Sequence, residues 1–232
     1  MKINELDTPA LVVDLDILQA NLLRMASYTQ THGLRLRPHT KTHKSPMLAR
    51  RQLDLGAVGL TVAKVGEAEE MLAAEPKDIL VAFPTIGATK LARLKEVAKR
   101  SQITVALDSL EAARQLSDAG IPARILVEFD AGLGRVGVAP HELLPLIGKI
   151  AALPHVVFDG LAFYPGHIKH LDETGERQLS ELSDLVQSTV AHLSASGFAP
   201  RIVSGGSTPT WAHMHRVAGL TEVRPGTYIF ND

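Results

Sequence analysis

Short runs of β-branched and aliphatic residues alternate with longer segments of helical periodicity along the whole chain. This alternation is typical of repeated βα units, in which the strands pair in parallel and the helices cover the sheet. Setting aside the first of the predicted strands leaves eight, the number that closes a TIM-type (β/α)8 barrel, and an open doubly wound sheet is the alternative. The predicted strands are residues 9–13, 34–38, 58–63, 78–82, 103–107, 124–129, 156–163, 201–204 and 221–224.

Two helices are predicted with particular clarity from the spacing of their apolar residues. Residues three or four positions apart share one face of a helix, and an apolar face indicates the side that packs on the sheet. Gly197 is expected to end the second helix, because glycine readily adopts the left-handed conformation found at helix ends. The predicted faces are Leu15, Leu18, Leu22 and Met25 in the first helix, and Leu179, Leu182, Val186, Val190 and Leu193 in the second.

The size and charge of the chain restrict both its domain organisation and its partners. Its 232 residues, 45% of them hydrophobic, are enough for one barrel, so we expect a single domain over residues 1–232. A net charge of −1 argues against nucleic acid and anionic membranes, and no segment reaches the roughly 20 apolar residues of a membrane span. The small net charge favours a small-molecule partner, and the lack of cysteine and of a signal-like N-terminus predicts a cytoplasmic protein.

The loops after the predicted strands are the expected location of functional residues in a parallel barrel. The second strand runs into the basic segment RPHTKTHK, residues 37–44. One of its lysines, if it points into the barrel mouth, would lose hydration and have a lowered pKa, which suits a Schiff-base amine. The alternative interpretation is a solvated surface loop.

Three further loops bring polar groups to the same end of the predicted barrel. The segment DAGLGRVGV contains Arg135, a permanent planar cation after a flexible turn, although a surface arginine at such a place is common. The segment YPGH offers the Tyr164 phenol and the His167 imidazole, or alternatively a half-buried tyrosine at a simple turn. The last strand ends at Arg224, a second arginine directed to this end.

The segment SGGSTPT, residues 204–210, predicts a phosphate-binding loop. Its glycines let backbone N–H groups approach an anion, its hydroxyls add donors, and a short helix after it would add a favourable dipole. Barrels frequently bind phosphate in the loops after their last two strands, which is where this segment lies. A simple turn is the alternative.

Several histidines raise the question of a metal site. The chain has no cysteine and no HExxH-type helix, so we interpret their spacing as chance and predict no metal ligands. The pairs considered are His39 with His43, His167 with His170, and His213 with His215.

Six segments together carry a family resemblance: PALVVDLDILQANL, RPHTKTHK, DAGLGRVGV, YPGH, SGGSTPT and EVRPGTYIFND, in this order. They resemble the D-threonine aldolase and D-serine dehydratase family, a branch of the alanine-racemase-like (fold type III) pyridoxal-phosphate enzymes, over the whole chain. The PHxK element is the specific one, because alanine racemases and the small pyridoxal-phosphate homeostasis proteins carry different residues around their lysine. The resemblance implies an alanine racemase N-terminal-like barrel.

The resemblance also implies a role for each motif. Lys41 would hold pyridoxal phosphate through a Schiff base. From the position of this lysine after a predicted strand, we also expect Arg37, Arg135 and Arg224 to lie near it and lower its pKa. Arg135 would lie beside the phenolic oxygen of the ring and Arg224 against the pyridine nitrogen, where a permanent cation disfavours protonation. Tyr164 would line the ring pocket. The implied phosphate ligands are Ser204, Gly205, Gly206, Ser207, Thr208, Gly226 and Thr227.

The activity implied by the resemblance is cleavage of a D-3-hydroxy amino acid to glycine and an aldehyde. D-Serine dehydratase and amino-acid racemase are alternatives of the same cofactor class, with His39, His43 and His167 as candidate bases. A non-catalytic pyridoxal-phosphate carrier belongs to another class, and the PHTKTHK element argues against it. A sugar-phosphate barrel, which would leave Lys41 without a cofactor role, is the remaining alternative.

One departure from the family concerns a second domain. Similar family members continue into a β-rich domain that brings a divalent metal, manganese or zinc, and helps to form a homodimer. This chain stops at Asp232, which suggests a fragment of a longer protein. We therefore expect it to bind cofactor with little or no turnover, and to expose an apolar surface that favours self-association.

Overall fold

The computed structural model describes residues 3–230, in which eight strands alternate with seven α-helices. The strands are β1 (Arg35–Leu36), β2 (Leu60–Val62), β3 (Asp78–Val81), β4 (Gln102–Leu107), β5 (Ala123–Glu128), β6 (Val156–Ala162), β7 (Ile202–Gly205) and β8 (Glu222–Val223). The helices are α1 (Leu15–Thr31), α2 (Pro46–Asp54), α3 (Val65–Met71), α4 (Ala88–Ala98), α5 (Leu110–Asp118), α6 (Leu143–Ala151) and α7 (Glu173–Ala195).

All neighbouring strands are parallel, in the order β1-β8-β7-β6-β5-β4-β3-β2. Two backbone hydrogen bonds close this sheet between its first and last members. The Val58 N–H donates to the Leu36 carbonyl at 2.9 Å, and the Thr61 N–H donates to the Pro38 carbonyl at 2.9 Å. The predicted TIM-type (β/α)8 barrel is therefore confirmed.

The predicted strand at residues 9–13 is wrong. These residues form no strand, and Leu11 and Val12 are 92% and 54% exposed. The physical reason is that closing the sheet gives every strand two neighbours, so no edge remains to supply hydrogen-bond partners for a ninth.

Helix α1 buries most of the face that its sequence predicts. Leu18, Leu22 and Met25 are buried, whereas Leu15 is 58% exposed, contrary to the prediction. Leu15 is the first residue of the helix, immediately after the N-cap Asp14, and it takes no part in the core that the later turns join.

Helix α1 also covers the seam where the barrel closes. It packs against β1 and against a short 3-10 helix that follows β8, Thr227–Ile229. The Asn21 amide donates to the Ile229 carbonyl at 3.3 Å and ties the two together. A helix that precedes β1 thus occupies the position of one that would follow β8.

Helix α7 agrees with its predicted face and end. Leu179, Leu182, Val186 and Leu193 are buried, and Val190 is partly buried against the same core. The helix stops before Gly197, whose φ of +85° is the left-handed conformation expected after a helix.

The inside of the barrel is divided into layers, because alternate residues of each strand point inward. One layer is apolar and consists of Leu80, Ala106, Leu126, Ala162 and Ile202. The hydrophobic side chains that face the other way pack beneath the helices and form the larger core.

A buried ion cluster lies toward the amino-terminal ends of the strands. The Arg37 guanidinium contacts the Asp78 carboxylate at 2.6 Å and the Glu222 carboxylate at 3.0 Å. Thr104 donates to Asp78, and Ser204 donates to Glu222 at 2.6 Å. Arg37 is therefore paired with these two acids. It is not among the groups that lower the pKa of Lys41, so the prediction for Arg37 is wrong.

Candidate functional site

A cavity opens where the strands end at their carboxyl termini, the side of the barrel that the loop motifs predicted. Its walls contain three cationic residues, one carboxyl group, one imidazole and one phenol. These are Lys41, Arg135, Arg224, Glu128, His39 and Tyr164.

Lys41 lies on a 3-10 turn, Thr40–Thr42, directly after β1. The turn is held from both sides, because the Thr40 hydroxyl donates to the Thr61 carbonyl at 3.1 Å and the Lys41 N–H donates to His39 Nδ1 at 3.4 Å. The backbone thus fixes the point from which the lysine side chain enters the cavity.

The environment lowers the pKa of Lys41 even though its side chain reaches the open mouth of the cavity. Partial burial between the walls is the largest cause, and the positive charges of Arg135 and Arg224 add to it. Glu67 acts in the opposite direction. The result is an amine that loses its proton more easily than an ordinary lysine, as a nucleophile requires.

His39 lines the cavity, but its surroundings keep it neutral. Burial and the charges of Lys41 and Arg224 lower the pKa of His39 to about 3. A neutral imidazole whose Nδ1 accepts a backbone hydrogen bond is a weak base at pH 7. His39 therefore serves to orient the turn that carries Lys41.

The other two histidines considered as bases do not line the cavity. His43 Nδ1 accepts from the Ser45 N–H at 3.1 Å, and its Nε2 lies 3.3 Å from the Gln52 amide oxygen. His167 packs beneath the loop at Gly132, and its Nδ1 is buried with no hydrogen-bond partner in the described part of the chain. His39 is thus the candidate base that the fold brings to Lys41.

Arg135 and Tyr164 are paired at the cavity wall. The guanidinium carbon lies 4.7 Å from the centre of the phenol ring, which is a cation–π contact. The arginine loop is shaped by Asp130, whose carboxylate accepts the N–H groups of Gly132 and Gly134, both at positive φ. The two glycines are required because other residues rarely adopt this conformation.

The loop after β7 contributes Gly206, Ser207 and Thr208 to the cavity, as the SGGSTPT motif predicts. The Thr208 hydroxyl accepts a hydrogen bond from the Gly226 N–H at 3.3 Å, which joins this loop to the one after β8. Gly226 and Thr227 line the cavity as well.

Gly226 has no room for a side chain. A Cβ there would lie 2.9 Å from the Thr42 hydroxyl and 3.0 Å from the His39 carbonyl. The loop after β8 therefore packs directly on the lysine turn.

Ser204 and Gly205 lie one layer below the cavity and do not line it. The Ser204 hydroxyl donates to Glu222 in the ion cluster. A Cβ at Gly205 would overlap the ring of Phe163, so this glycine allows β7 to pack closely against the neighbouring strand. Both residues support the loop from beneath.

Arg224 is buried and held by two carbonyl groups. Its guanidinium donates to the Ser204 carbonyl at 2.7 Å and to the Phe163 carbonyl at 3.1 Å. Burial lowers its pKa, but a guanidinium stays protonated in proteins. A fixed cation therefore lies in the cavity wall with further N–H groups free to donate.

Glu128 was missed by the sequence analysis. It is buried, it lines the cavity, and burial raises its pKa although Arg224 and Arg135 favour the charged form. The alternation of β5 could have identified it, because Arg124 and Leu126 precede it at two-residue spacing on the inward face.

Within residues 3–230, no group of three or more His, Cys, Asp or Glu side chains is arranged to hold a metal ion. Among the same residues, no helix combines the length and apolar character needed to cross a bilayer.

Residues 13–232 match the protein family described as alanine racemase, N-terminal domain. The chain belongs to this family. Among alanine racemases of known structure, the enzyme of Streptomyces lavendulae superimposes with a TM-score of 0.78 at 22% identity, over 94% of this chain and 57% of that one. At that identity the likeness concerns the barrel fold of the family.

Nearer relatives of this alanine racemase-like chain are also found. D-Threonine aldolase from an Arthrobacter species is 38% identical, over 97% of this chain and 62% of that protein. 3-Hydroxy-D-aspartate aldolase from Paracoccus denitrificans is 36% identical, over 99% and 62%. The crystal structure of D-threonine aldolase from Filomicrobium marinum superimposes with a TM-score of 0.94 at 34% identity, over 99% and 64%. The chain spans slightly less than two thirds of the length of each.

Proposed function

We propose that this chain is the pyridoxal-phosphate-binding barrel of a lyase that cleaves D-3-hydroxy amino acids into glycine and an aldehyde. The observation that carries the proposal is a lysine of lowered pKa, Lys41, in the same cavity as the buried Ser207–Thr208 loop. The relatives of 38% and 36% identity named above are both aldolases, and a D-threo-3-hydroxyaspartate dehydratase from a Delftia species is 35% identical, so dehydration of the same class of substrate is the second candidate function.

The donors of the cavity fit the cofactor. A phosphate dianion is matched by the hydroxyls of Ser207 and Thr208, and the Gly226 N–H holds the Thr208 hydroxyl in place. The cations of Arg135 and Arg224 add charge complementarity in a partly buried place. The lysine turn lies against the loop of Gly226, so one ligand of this size can reach the phosphate loop and Lys41 together.

Each wall residue has a proposed task. Lys41 supplies the unprotonated amine that binds the aldehyde group, and His39 holds its turn in place. Arg135 and Tyr164, stacked on one another, orient the ring, while Arg224 keeps a positive charge beside it. Pyridoxal phosphate, when bound, supplies a ring that takes up electron density from the bond broken at Cα.

Proton movement in the cavity is proposed to rely on few groups. Since His43 and His167 lie elsewhere and the pKa of His39 is about 3, Lys41 is the best candidate to take or return a proton at Cα. Activation of the β-hydroxyl is assigned to a divalent metal, manganese or zinc, bound by parts of a longer form of the protein.

The chain by itself is expected to bind cofactor with little or no turnover of D-threonine or D-serine. A metal that lowers the hydroxyl pKa contributes several kcal/mol, and each 1.36 kcal/mol is a tenfold change in rate. The assay measures glycine and acetaldehyde for the aldolase and pyruvate and ammonia for the dehydratase, with and without Mn²⁺ or Zn²⁺. The Arthrobacter D-threonine aldolase serves as the positive control. Turnover comparable with that enzyme would contradict the proposed role of a metal outside this chain.

Gly206→Val is expected to weaken cofactor binding by about 10- to 100-fold. Gly206 has a φ of +97°, which a β-branched residue adopts only with strain of about 1–3 kcal/mol, and its Cβ would lie 3.3 Å from Met214. The dissociation constant is measured from the visible absorption of the bound cofactor. Gly148→Val is the matched control, because nothing lies within 4 Å of a Cβ there.

The phosphate loop itself is tested by comparing two ligands. Pyridoxal phosphate should bind much more tightly than pyridoxal, since each charge-assisted hydrogen bond to the phosphate contributes about 1.5–3 kcal/mol. Equal affinities would rule out the Ser207–Thr208 loop as the phosphate site.

Four expectations from the sequence stay predictions. They are the D-amino-acid partner, the homodimer of a longer form, the absence of nucleic-acid and membrane partners, and the cytoplasmic location.

A further inference from the structure

The phosphate loop continues directly into a short 3-10 helix, Trp211–Arg216, that is docked on α1. The Tyr28 hydroxyl accepts a hydrogen bond from the His215 N–H at 3.0 Å and lies 3.1 Å from His215 Nδ1. The Tyr28 ring meets the Trp211 ring edge-on, with the centres 5.0 Å apart. One tyrosine of α1 thus contacts both ends of the segment that follows the loop.

Two histidine rings complete this contact. His32, the residue that follows α1, and His215 are stacked, with ring centres 3.8 Å apart and planes inclined by 13°. Tyr28 lies beside the stack, 4.8 Å from the His32 ring. Neutral imidazoles stack favourably in this way, whereas two protonated ones would place like charges face to face.

A continuous set of contacts runs from this docked segment to the cavity. The Thr210 hydroxyl lies 3.0 Å from the Ser207 hydroxyl and 3.4 Å from the Met214 sulfur. Met214 in turn packs against Gly206, 3.3 Å from the position of a Cβ. Any movement of the 3-10 helix away from α1 must therefore pull on Gly206 and Ser207.

We propose that Tyr28, His32, Trp211 and His215 form a latch that holds residues 206–210 in their anion-binding conformation, and that protonation of His215 releases the loop. These four are positioning residues, since none of them lines the cavity. The inference rests on the proposed function only in that the loop receives a phosphate group.

The charges around the latch determine the direction of its pH dependence. His215 faces Tyr28 of α1 and His32, the residue that follows α1. Within its own segment, His215 lies near His213 and Arg216. Glu176 of α7 is the acid nearby, and it is paired with Arg216. The groups around His215 are therefore neutral or positive, and the Glu176 carboxylate is already paired with Arg216.

The pKa of His215 is lowered by burial first, and then by His32, His213 and Arg216. A histidine with a lower pKa in the docked state than in a released state, where it is about 6.5, binds its proton preferentially after release. Docking is therefore fully stable above about pH 6.5 and weakens as the pH falls below it. Protonation also adds a positive charge near the Arg216 guanidinium, which disfavours docking.

The single tryptophan of the chain makes the latch directly observable, because Trp211 is part of it. Trp211 fluorescence is titrated from pH 8 to 5, and sulfate binding is measured by calorimetry at pH 7.5 and 5.5. Sulfate keeps its double charge over this range, so any pH dependence belongs to the protein. General electrostatics predicts tighter sulfate binding at pH 5.5, where histidines gain charge, whereas the latch predicts weaker binding by about tenfold.

His215→Gln removes the titrating group at the centre of the latch. It is expected to abolish the fluorescence transition on acidification and the tenfold loss of sulfate affinity. His32→Gln, at an exposed position, should reduce both effects and serves if the first variant folds poorly. His192→Gln is the matched control, since His192 is exposed on α7 and should leave the transition unchanged.

Specific results would overturn the latch. Sulfate binding that is unchanged or tighter at pH 5.5, or a transition that persists in His215→Gln, excludes it. If the parent binds no sulfate at pH 7.5, the loop is not an anion site and the latch has no ligand to control. The covalent trapping of pyridoxal phosphate on Lys41 at pH 7.5 tests the proposed function separately, so either idea can fail alone.

Discussion

Borohydride reduction of the protein after mixing with pyridoxal phosphate is expected to label Lys41, and Lys41→Ala should abolish the visible absorption of the bound cofactor. The reason is that burial, Arg135 and Arg224 lower the pKa of this lysine, so that its free amine is available at neutral pH. The reduced adduct is located by peptide mapping.

Two neighbouring lysines are natural controls. Lys44 is exposed and contacts Glu67 at 3.5 Å, and Lys64 precedes α3 without lining the cavity. Lys44→Ala and Lys64→Ala should therefore keep the absorption. An adduct on either of these residues would show that the assignment of Lys41 is wrong, and no absorption at all in the parent would favour a barrel for another phosphate ligand.

Glu222→Ala is expected to lower the free energy of unfolding by about 3–5 kcal/mol. Glu222 is fully buried, its carboxylate contacts Arg37 at 3.0 Å, and Ser204 donates to its other oxygen at 2.6 Å. Removing it leaves the buried Arg37 with Asp78 alone and leaves the Ser204 hydroxyl without its acceptor. Urea denaturation followed by circular dichroism measures the change.

The matched control is an ion pair at the surface. Glu96 contacts Lys99 at 2.7 Å, and both side chains are more than 60% exposed. Glu96→Ala should change stability by only about 0–1 kcal/mol, because exposed pairs are well solvated in either state. A loss of similar size in the two variants would mean that burial of the cluster is not what makes Glu222 important.

Replacing both Arg37 and Glu222 separates the cost of leaving a buried charge unpaired from the loss of the ion pair itself. In Arg37→Met combined with Glu222→Leu, the Arg37 charge is removed together with Glu222, and Asp78 keeps Arg124 at 3.4 Å and the Thr104 hydroxyl at 3.1 Å, so the loss should be smaller than in Glu222→Ala. Since Glu222 lies two residues before Arg224 on β8, the single variant should also disturb the cavity wall and weaken cofactor binding. The double variant is expected to restore part of that affinity.

Much of the architecture was determined by the sequence alone, because the relevant signals are local. Apolar spacing placed Leu18, Leu22 and Met25 on the buried face of α1, and the alternation of short apolar runs with helices predicted the eight parallel strands. The motifs after the strands correctly located Lys41 and the Ser207–Thr208 loop at one end of the barrel.

The direction of individual side chains was decided by the tertiary structure. Three histidines were equal candidates in the sequence, but His43 is held by Ser45 and Gln52, and His167 packs beneath a loop. A short motif specifies which residue types reach a region, whereas neighbours from distant parts of the chain determine which of them face the cavity. Glu128 is the opposite case. The alternation of β5 places it on the inward face, but only the closed barrel brings it into the cavity with Arg224 and Arg135.

Closure of the sheet decided the remaining differences. A strand at residues 9–13 has suitable residues but finds no free edge, because the β1–β2 hydrogen bonds consume the last one. Arg37 belongs to the most basic segment of the chain. It is nevertheless buried inside the barrel, because it pairs there with Asp78 and Glu222, which come from strands far apart in sequence. Periodicity and motifs are properties of neighbouring residues, while edges, buried charge partners and cavity walls exist only after distant strands have met.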